Sequence, residues 1–184
     1  MSPEEFQQNL KAKATQVSTY VQTRFASTAG NVALRFINGN FRAGGYQGKT
    51  FKKWKPSQGT TLVKSGALRA ANYYTTQPGQ ATLKNNMPYA NVHNEGFKGD
   101  VAIKAHSRNS YGKKKVGTGK LTKSGKERKQ TVTFKTGEKA IRSHTRKINM
   151  PQRQFMPINA GDSPVLNNAV TRAVTNDIKA ILNQ

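Results

Sequence analysis

The chain has 184 residues, with 31 Lys and Arg against 8 Asp and Glu and a formal charge of +23. This length fits one domain, and a hydrophobic share of 34%, below the roughly 45–50% of ordinary globular chains, fits a modest core with long exposed segments or one completed by neighbouring subunits. The absence of cysteine excludes disulfides and thiolate metal sites, while the lack of an apolar run of ~18 residues and of a signal-peptide pattern in MSPEEFQQNL predicts folding in a cytoplasm with no membrane partner.

Ser2-Pro3-Glu4-Glu5 reads as a helix start. Ser2 can cap, Pro3 suits the first helical position, and Glu5 stands at capping-box spacing. Phe6, Leu10, Ala14, Val17, Val21 and Phe25 then recur at three- and four-residue intervals, which predicts an apolar helical stripe. Gly30 is a point where this helix can break. Val32, Ala33, Phe36 and Ile37 continue the pattern until Asn38-Gly39 stops it. One long helix, or two in succession, is expected over residues 3–37.

Residues 40–66 are rich in Gly, Lys and Thr and read as a loop. Trp54, the single tryptophan, is its expected anchor, with nucleic-acid stacking as the alternative. Leu68 to Thr76 begins a β region, and Ala81–Lys84 pairs with it across Gln77-Pro78-Gly79. Met87–His93 leaves that sheet as a helical turn or loop, because Pro88 disfavours a central strand.

Residues 98–147 form a basic stretch punctuated by glycines. From Lys104 to Lys147, fifteen basic residues stand against Glu127 and Glu138, an excess of thirteen in under a quarter of the chain. Val101–Ile103 and Thr131–Phe134 have strand character. The segment between them reads as a long hairpin tip or a mobile loop. Ile148–Met150 reads as a last strand ended by Pro151, and Ser163-Pro164 opens a second helix, with its stripe on Leu166, Ala169, Val170, Ala173, Val174, Ile178, Ile181 and Leu182. The expected fold class is α+β: a long N-terminal helix, an antiparallel β-sheet with an extended basic hairpin or loop, and a C-terminal helix. It forms a single domain over 1–184, with 98–147 as a basic insertion or hairpin arm.

The residues suggest no enzyme. Acids are too few and scattered for a carboxylate pair. His93-Asn94-Glu95 has the H-x-E spacing of zinc deaminases, but the cysteine ligands of those enzymes are missing. His93, His106 and His144 lack helical metal-binding spacing, and the plainer expectation for His93 is a structural hydrogen bond near a turn. No glycine-rich phosphate loop is present, so neither a metal nor a cofactor is expected. Lys113, Lys114, Lys115, Lys120, Lys123, Lys126, Arg128 and Lys129 are the candidate contacts of the basic segment. They suit nucleic-acid phosphates, an acidic protein surface, or solvent alone. With Tyr111 and Phe134 the only nearby aromatics, a single-strand stacking platform is not indicated.

Leu62-Val63-Lys64-Ser65-Gly66-Ala67-Leu68-Arg69 resembles the L-x-x-[ST]-G-x-L-R signature of the phage virion morphogenesis family, which includes tail-completion and head–tail joining proteins. Upstream, Gly48 to Pro56 with Trp54 is similar to the family's G-x-x-W-x-P approach. Downstream, Pro88 to Gly96, with Tyr89 and His93, resembles its P-Y-A-x-x-H-x-x-G block. Met150 to Met156, with Pro151, Arg153 and Phe155, resembles its [IM]-P-x-R-x-F-[ML] block. In physical terms Gly66 and Gly96 can take backbone angles other residues avoid, Tyr89 and Phe155 can wedge into a small core, and Arg153 can fork onto carbonyls or a carboxylate. The stretch between Gly96 and Pro151 is longer and more basic than the family pattern.

The resemblance implies a non-enzymatic virion protein of a tailed bacteriophage, a subunit of a homo-oligomeric ring that joins the head to the tail or completes the tail. Its implied partners are copies of itself, the neighbouring connector or neck protein and the tail-tube or terminator protein, while the charge of the basic segment adds non-specific contact with packaged DNA as one alternative beside a neighbouring subunit or an acidic partner ring. Its implied location is the head–tail junction of the virion, reached from the host cytoplasm during assembly. The alternative is a general basic nucleic-acid-binding protein.

Overall fold

The computed structural model describes residues 2–56 and 61–183. Residues 57–60, part of the expected loop, lie outside the described residues. Contacts divide the chain into two units, Met1–Phe97 with Asn149–Gln184, and Lys98–Ile148.

The larger unit opens with α1, Pro3–Thr23. The capping box forms: the Glu5 amide donates to Ser2 Oγ at 3.1 Å, and the Ser2 amide donates to Glu5 Oε2 at 2.7 Å. The helix breaks at Arg24 rather than at Gly30, and α2 runs Phe25–Ala43. Gly30 instead admits Tyr74, whose ring lies 2.5 Å from where a Cβ would stand. Nor does Asn38-Gly39 end α2. Helical glycine costs about 1 kcal/mol, but another turn buries Asn40 and Phe41, and burying one aromatic side chain returns roughly 1.5–3 kcal/mol. Gly44, left-handed at φ 66°, is the true C-cap.

The expected loop after residue 40 is therefore shorter and partly ordered into a hairpin of β1, Gly45–Gln47, and β2, Phe51–Lys53. The β region also starts later than Leu68. Residues Ala67–Ala70 form one helical turn, α3, and β3 begins at Asn72. The side chains of Asn72 and Asn85 both donate to the Leu68 carbonyl, which holds that turn against the hairpin behind it. Strand β3, Asn72–Gln77, pairs antiparallel with β4, Gln80–Asn85, across Pro78-Gly79, and the ladder packs on α2. Helix α4, Ala90–Glu95, follows.

Helix α5, Pro164–Leu182, closes the unit, capped by Ser163 Oγ, which accepts from the Leu166 amide at 3.1 Å. It packs on α2 and α1. Asp177 Oδ2 accepts from Tyr20 Oη at 2.8 Å and from Thr28 Oγ1 at 3.0 Å, tying the three helices. The core groups Ile37, Phe41, Trp54, Leu68, Ala90 and Phe155, with Val32, Ala33 and Leu166 beside it. Much of the predicted α1 stripe stays outside this core: Phe6, Leu10 and Val21 are exposed.

The smaller unit contains most of β5, Phe97–Ile103, which pairs with β8, His144–Met150. Between them β6, His106–Leu121, and β7, Glu127–Ile141, form an antiparallel two-stranded ribbon. The ribbon side chains are almost all exposed. The α+β class holds, but among the described residues the strands form four separate two-stranded ladders rather than one sheet.

Candidate functional site

The blocks singled out in the sequence converge on residues 151–156. This segment has no regular structure of its own, so its backbone groups must find partners elsewhere. The Arg153 amide donates to the His93 carbonyl at 2.8 Å. The Gln154 carbonyl accepts from Trp54 Nε1 at 2.6 Å. The Phe155 carbonyl accepts from Asn40 Nδ2 at 3.1 Å, and Asn94 Oδ1 accepts from the amides of Phe155 and Met156 at 2.9 and 3.0 Å. Arg153 Nε donates to the Lys55 carbonyl at 2.9 Å. Phe155, fully buried, packs its ring 5.2 Å from Phe41, which meets Trp54 edge-on at 5.5 Å.

Each sequence-predicted residue has a definite place. Trp54 is buried and serves as the anchor, so it presents no face for stacking a base. Leu68 is buried below Gly66, whose φ of 74° starts α3. Gly96, at φ 80°, leaves room for residue 152: a Cβ there would stand 2.9 Å from the Gln152 nitrogen. Pro151 lines a cleft of about 240 Å³ with Tyr46 and Trp54. Tyr89 does not wedge into the core. It is 41% exposed and outside the core that holds Ala90 and Phe155, and its ring meets His93 edge-on. Lys113, Lys114, Lys115, Lys120, Lys123, Lys126, Arg128 and Lys129 are all exposed on the ribbon and its tip, in the other unit.

The expectation for His93 needs correcting. Its structural bond is made by the backbone carbonyl, whereas ring Nδ1 is buried with no hydrogen-bond partner among the described residues. Burial, and then the Arg153 charge, hold the imidazole below its usual pKa. It lines a cavity of about 250 Å³ with Leu62, Lys64, Ser65, Leu68, Tyr89 and Arg153. Glu95, its partner in the H-x-E spacing, is exposed. Nothing among the described residues orients the ring through Nδ1 as the acid of a catalytic triad does. Among them there is likewise no group of three or more metal-ligating side chains, and no helix long and apolar enough to cross a membrane.

Sequence reading missed the residues that do most of the clamping. Asn40 and Asn94 are buried, and each bonds backbone that is distant along the chain. Asn40 also accepts from the Gln47 amide. Asp162 Oδ2 gathers the amides of Ile158 and Asn159 at 2.8 Å each, and these hold its carboxyl below the usual range. Ser163 Oγ donates to the Gln47 carbonyl at 2.6 Å. Asn94 stood within a recognised block, but nothing in the sequence marked Asn40. Comparison with known proteins adds no relative: no family model, curated protein or solved structure matches this chain.

Proposed function

We propose that this chain is a non-enzymatic structural subunit of a tailed-phage virion, acting in head–tail joining or tail completion as one copy of a ring at the neck. The observation that carries the reading is the convergence of the four resembling blocks. Trp54, Leu68 and Phe155 share one buried core, the 151–156 segment is hydrogen-bonded to Trp54 and to the His93 carbonyl, and Gly96 lies against the Gln152 backbone, so these motif residues serve packing and backbone satisfaction.

Two surfaces of the larger unit suit contact between copies. The first turns of α1 present exposed Phe6 and Leu10 beside Glu4 and Glu5. An open groove of about 430 Å³ on α2 and α5 is lined by Val32, Phe36, Val165, Ala169 and Ala173 and flanked by Arg35 and Arg172. The two are complementary in charge and in apolar character. A contact between two different patches is head-to-tail, which closes into a ring when its rotation permits and otherwise runs on as a filament. Native mass spectrometry with charge reversal tests this. Glu4→Lys with Glu5→Lys should abolish the oligomer, and adding Arg35→Glu with Arg172→Glu should restore it. An oligomer indifferent to both changes would remove this interface, and a wild-type chain that never forms a ring with its neck partner would remove the reading itself.

A further inference from the structure

The β6–β7 ribbon has two chemically different faces, and its register decides which residues share each. In an antiparallel pair, directly opposed residues lie on one face and neighbours along a strand alternate. The pairs Lys113↔Thr133, Lys115↔Thr131 and Gly117↔Lys129 therefore share one face, and Gly112↔Phe134, Lys114↔Val132 and Val116↔Gln130 share the other. The Phe134 ring over Gly112 agrees with this assignment. The first face is lysine and threonine with Gly117, and ends at the Tyr111↔Lys135 pair. The second is mainly apolar, with Phe134, Val132 and Val116 exposed on it.

Acids mark the limits of the lysine face. Lys135 forms an ion pair with Glu138 at 3.6 Å, and Glu127 lies over Gly117. Lys113, Lys115 and Lys129 lie in the window between, and Lys120, Lys123 and Lys126 continue the charge around the tip. All six side chains are exposed, and among the described residues none of the six makes an ion pair.

We propose that this face of the ribbon binds the phosphate backbone of double-stranded DNA without reading sequence. A second copy is a poor occupant, because the larger unit is itself basic, with fifteen Lys and Arg against five Asp and Glu. An acidic protein is disfavoured by the chemistry of the face. Protein interfaces are depleted in lysine and anchored by buried aromatic or apolar groups, and between its acidic limits this face offers lysine, threonine and glycine. Phosphate binding needs only point charges and small donors on an accessible edge, and a two-stranded ribbon has the width that a DNA groove admits. Single strands are disfavoured because stacking needs successive aromatics: Tyr111, opposite Lys135 at the edge of the lysine face, stands alone there, and Phe134 is on the opposite face. The inference stands on the ribbon alone and does not require a ring.

The test is fluorescence anisotropy of the full chain with a labelled 20-base-pair duplex of arbitrary sequence, over a range of salt. The variant Lys113→Glu, Lys115→Glu, Lys129→Glu should weaken binding on the order of 100-fold near 0.1 M salt, and its slope of log affinity against log salt should be shallower by about 2–3. The control variant Lys11→Glu, Lys49→Glu, Lys84→Glu carries the same charge change on exposed positions of the larger unit and should stay within about threefold of wild type. Hydrogen exchange of the ladder amides checks that the ribbon stays paired, and a Lys→Gln triple with a smaller loss in the same direction covers the case where Glu disrupts it. Equal losses in ribbon and control variants would reduce the effect to net charge and overturn the proposal. So would tighter binding to polyglutamate or to single-stranded DNA than to the duplex. Ring assembly is scored separately, so either idea can fail alone.

Discussion

Asn94→Ala tests the clamp on residues 151–156 most sharply. Asn94 Oδ1 serves two amides, and the Phe155 amide belongs to a residue with no exposed surface. Removing the acceptor strands that donor at a cost of about 1–3 kcal/mol, and the half-buried Met156 amide loses somewhat less because water can reach it. The sum is about 2–4 kcal/mol, which lowers the melting temperature by roughly 5–15 °C at this chain length. Trp54 reports the event directly. It is the single tryptophan, it is buried, and its indole donates to the same segment. Urea denaturation followed by its fluorescence should show the midpoint move. Asn94→Asp keeps an acceptor for both amides and should lose distinctly less. An alanine variant within about 0.5 kcal/mol of wild type would refute the claim that this carboxamide holds the segment.

Tyr46 is buried, with a hydroxyl that has no partner among the described residues. Tyr46→Phe should therefore cost nothing, or stabilise by up to about 1 kcal/mol, and a loss larger than that in the same denaturation would contradict the burial argument. Burial, then the charge of Asp162, pushes the phenol up to about 12. Its contribution is complete below pH ~10 and lost as pH rises toward the folded value, so the phenylalanine variant should resist alkaline unfolding better. For His93 the sign is opposite. Its folded pKa lies below the unfolded value of about 6.5, so stability is complete above that pH and declines as pH falls through it. His93→Phe should flatten melting temperature against pH between 7.5 and 5, and a flat wild-type curve would count against it. Gly96→Ala places a side chain at φ 80° and against the Gln152 backbone. It should cost at least about 2 kcal/mol by thermal unfolding, and a neutral substitution would show that the block tolerates other geometry.

The ends of the outer helices were legible because their signals are local. Ser2, Pro3 and Glu5, and again Ser163 and Pro164, act within one turn of themselves. The hairpin across Pro78-Gly79 was legible for the same reason. The end of α2 was not, because Asn38-Gly39 is a local stop overridden by the burial of Asn40 and Phe41. Leu68 read as strand because an apolar residue beside a β-rich run looks alike in either state, and the asparagines that fix its turn act from outside it. Within the site, the sequence supplied the motif residues but not what joins them: the bond from Asn40 to Phe155 spans 115 residues. The two faces of the ribbon were hidden as well, since a bulge between Ser110 and Tyr111 sets the register beyond it.

The role proposed for this polypeptide is that of a structural part of the neck. Electron microscopy of a phage lysate made without the chain tests it most directly. The account predicts filled heads and free tails that become joined, infective particles when the purified protein is added back. Complete, infective virions formed in its absence would contradict it.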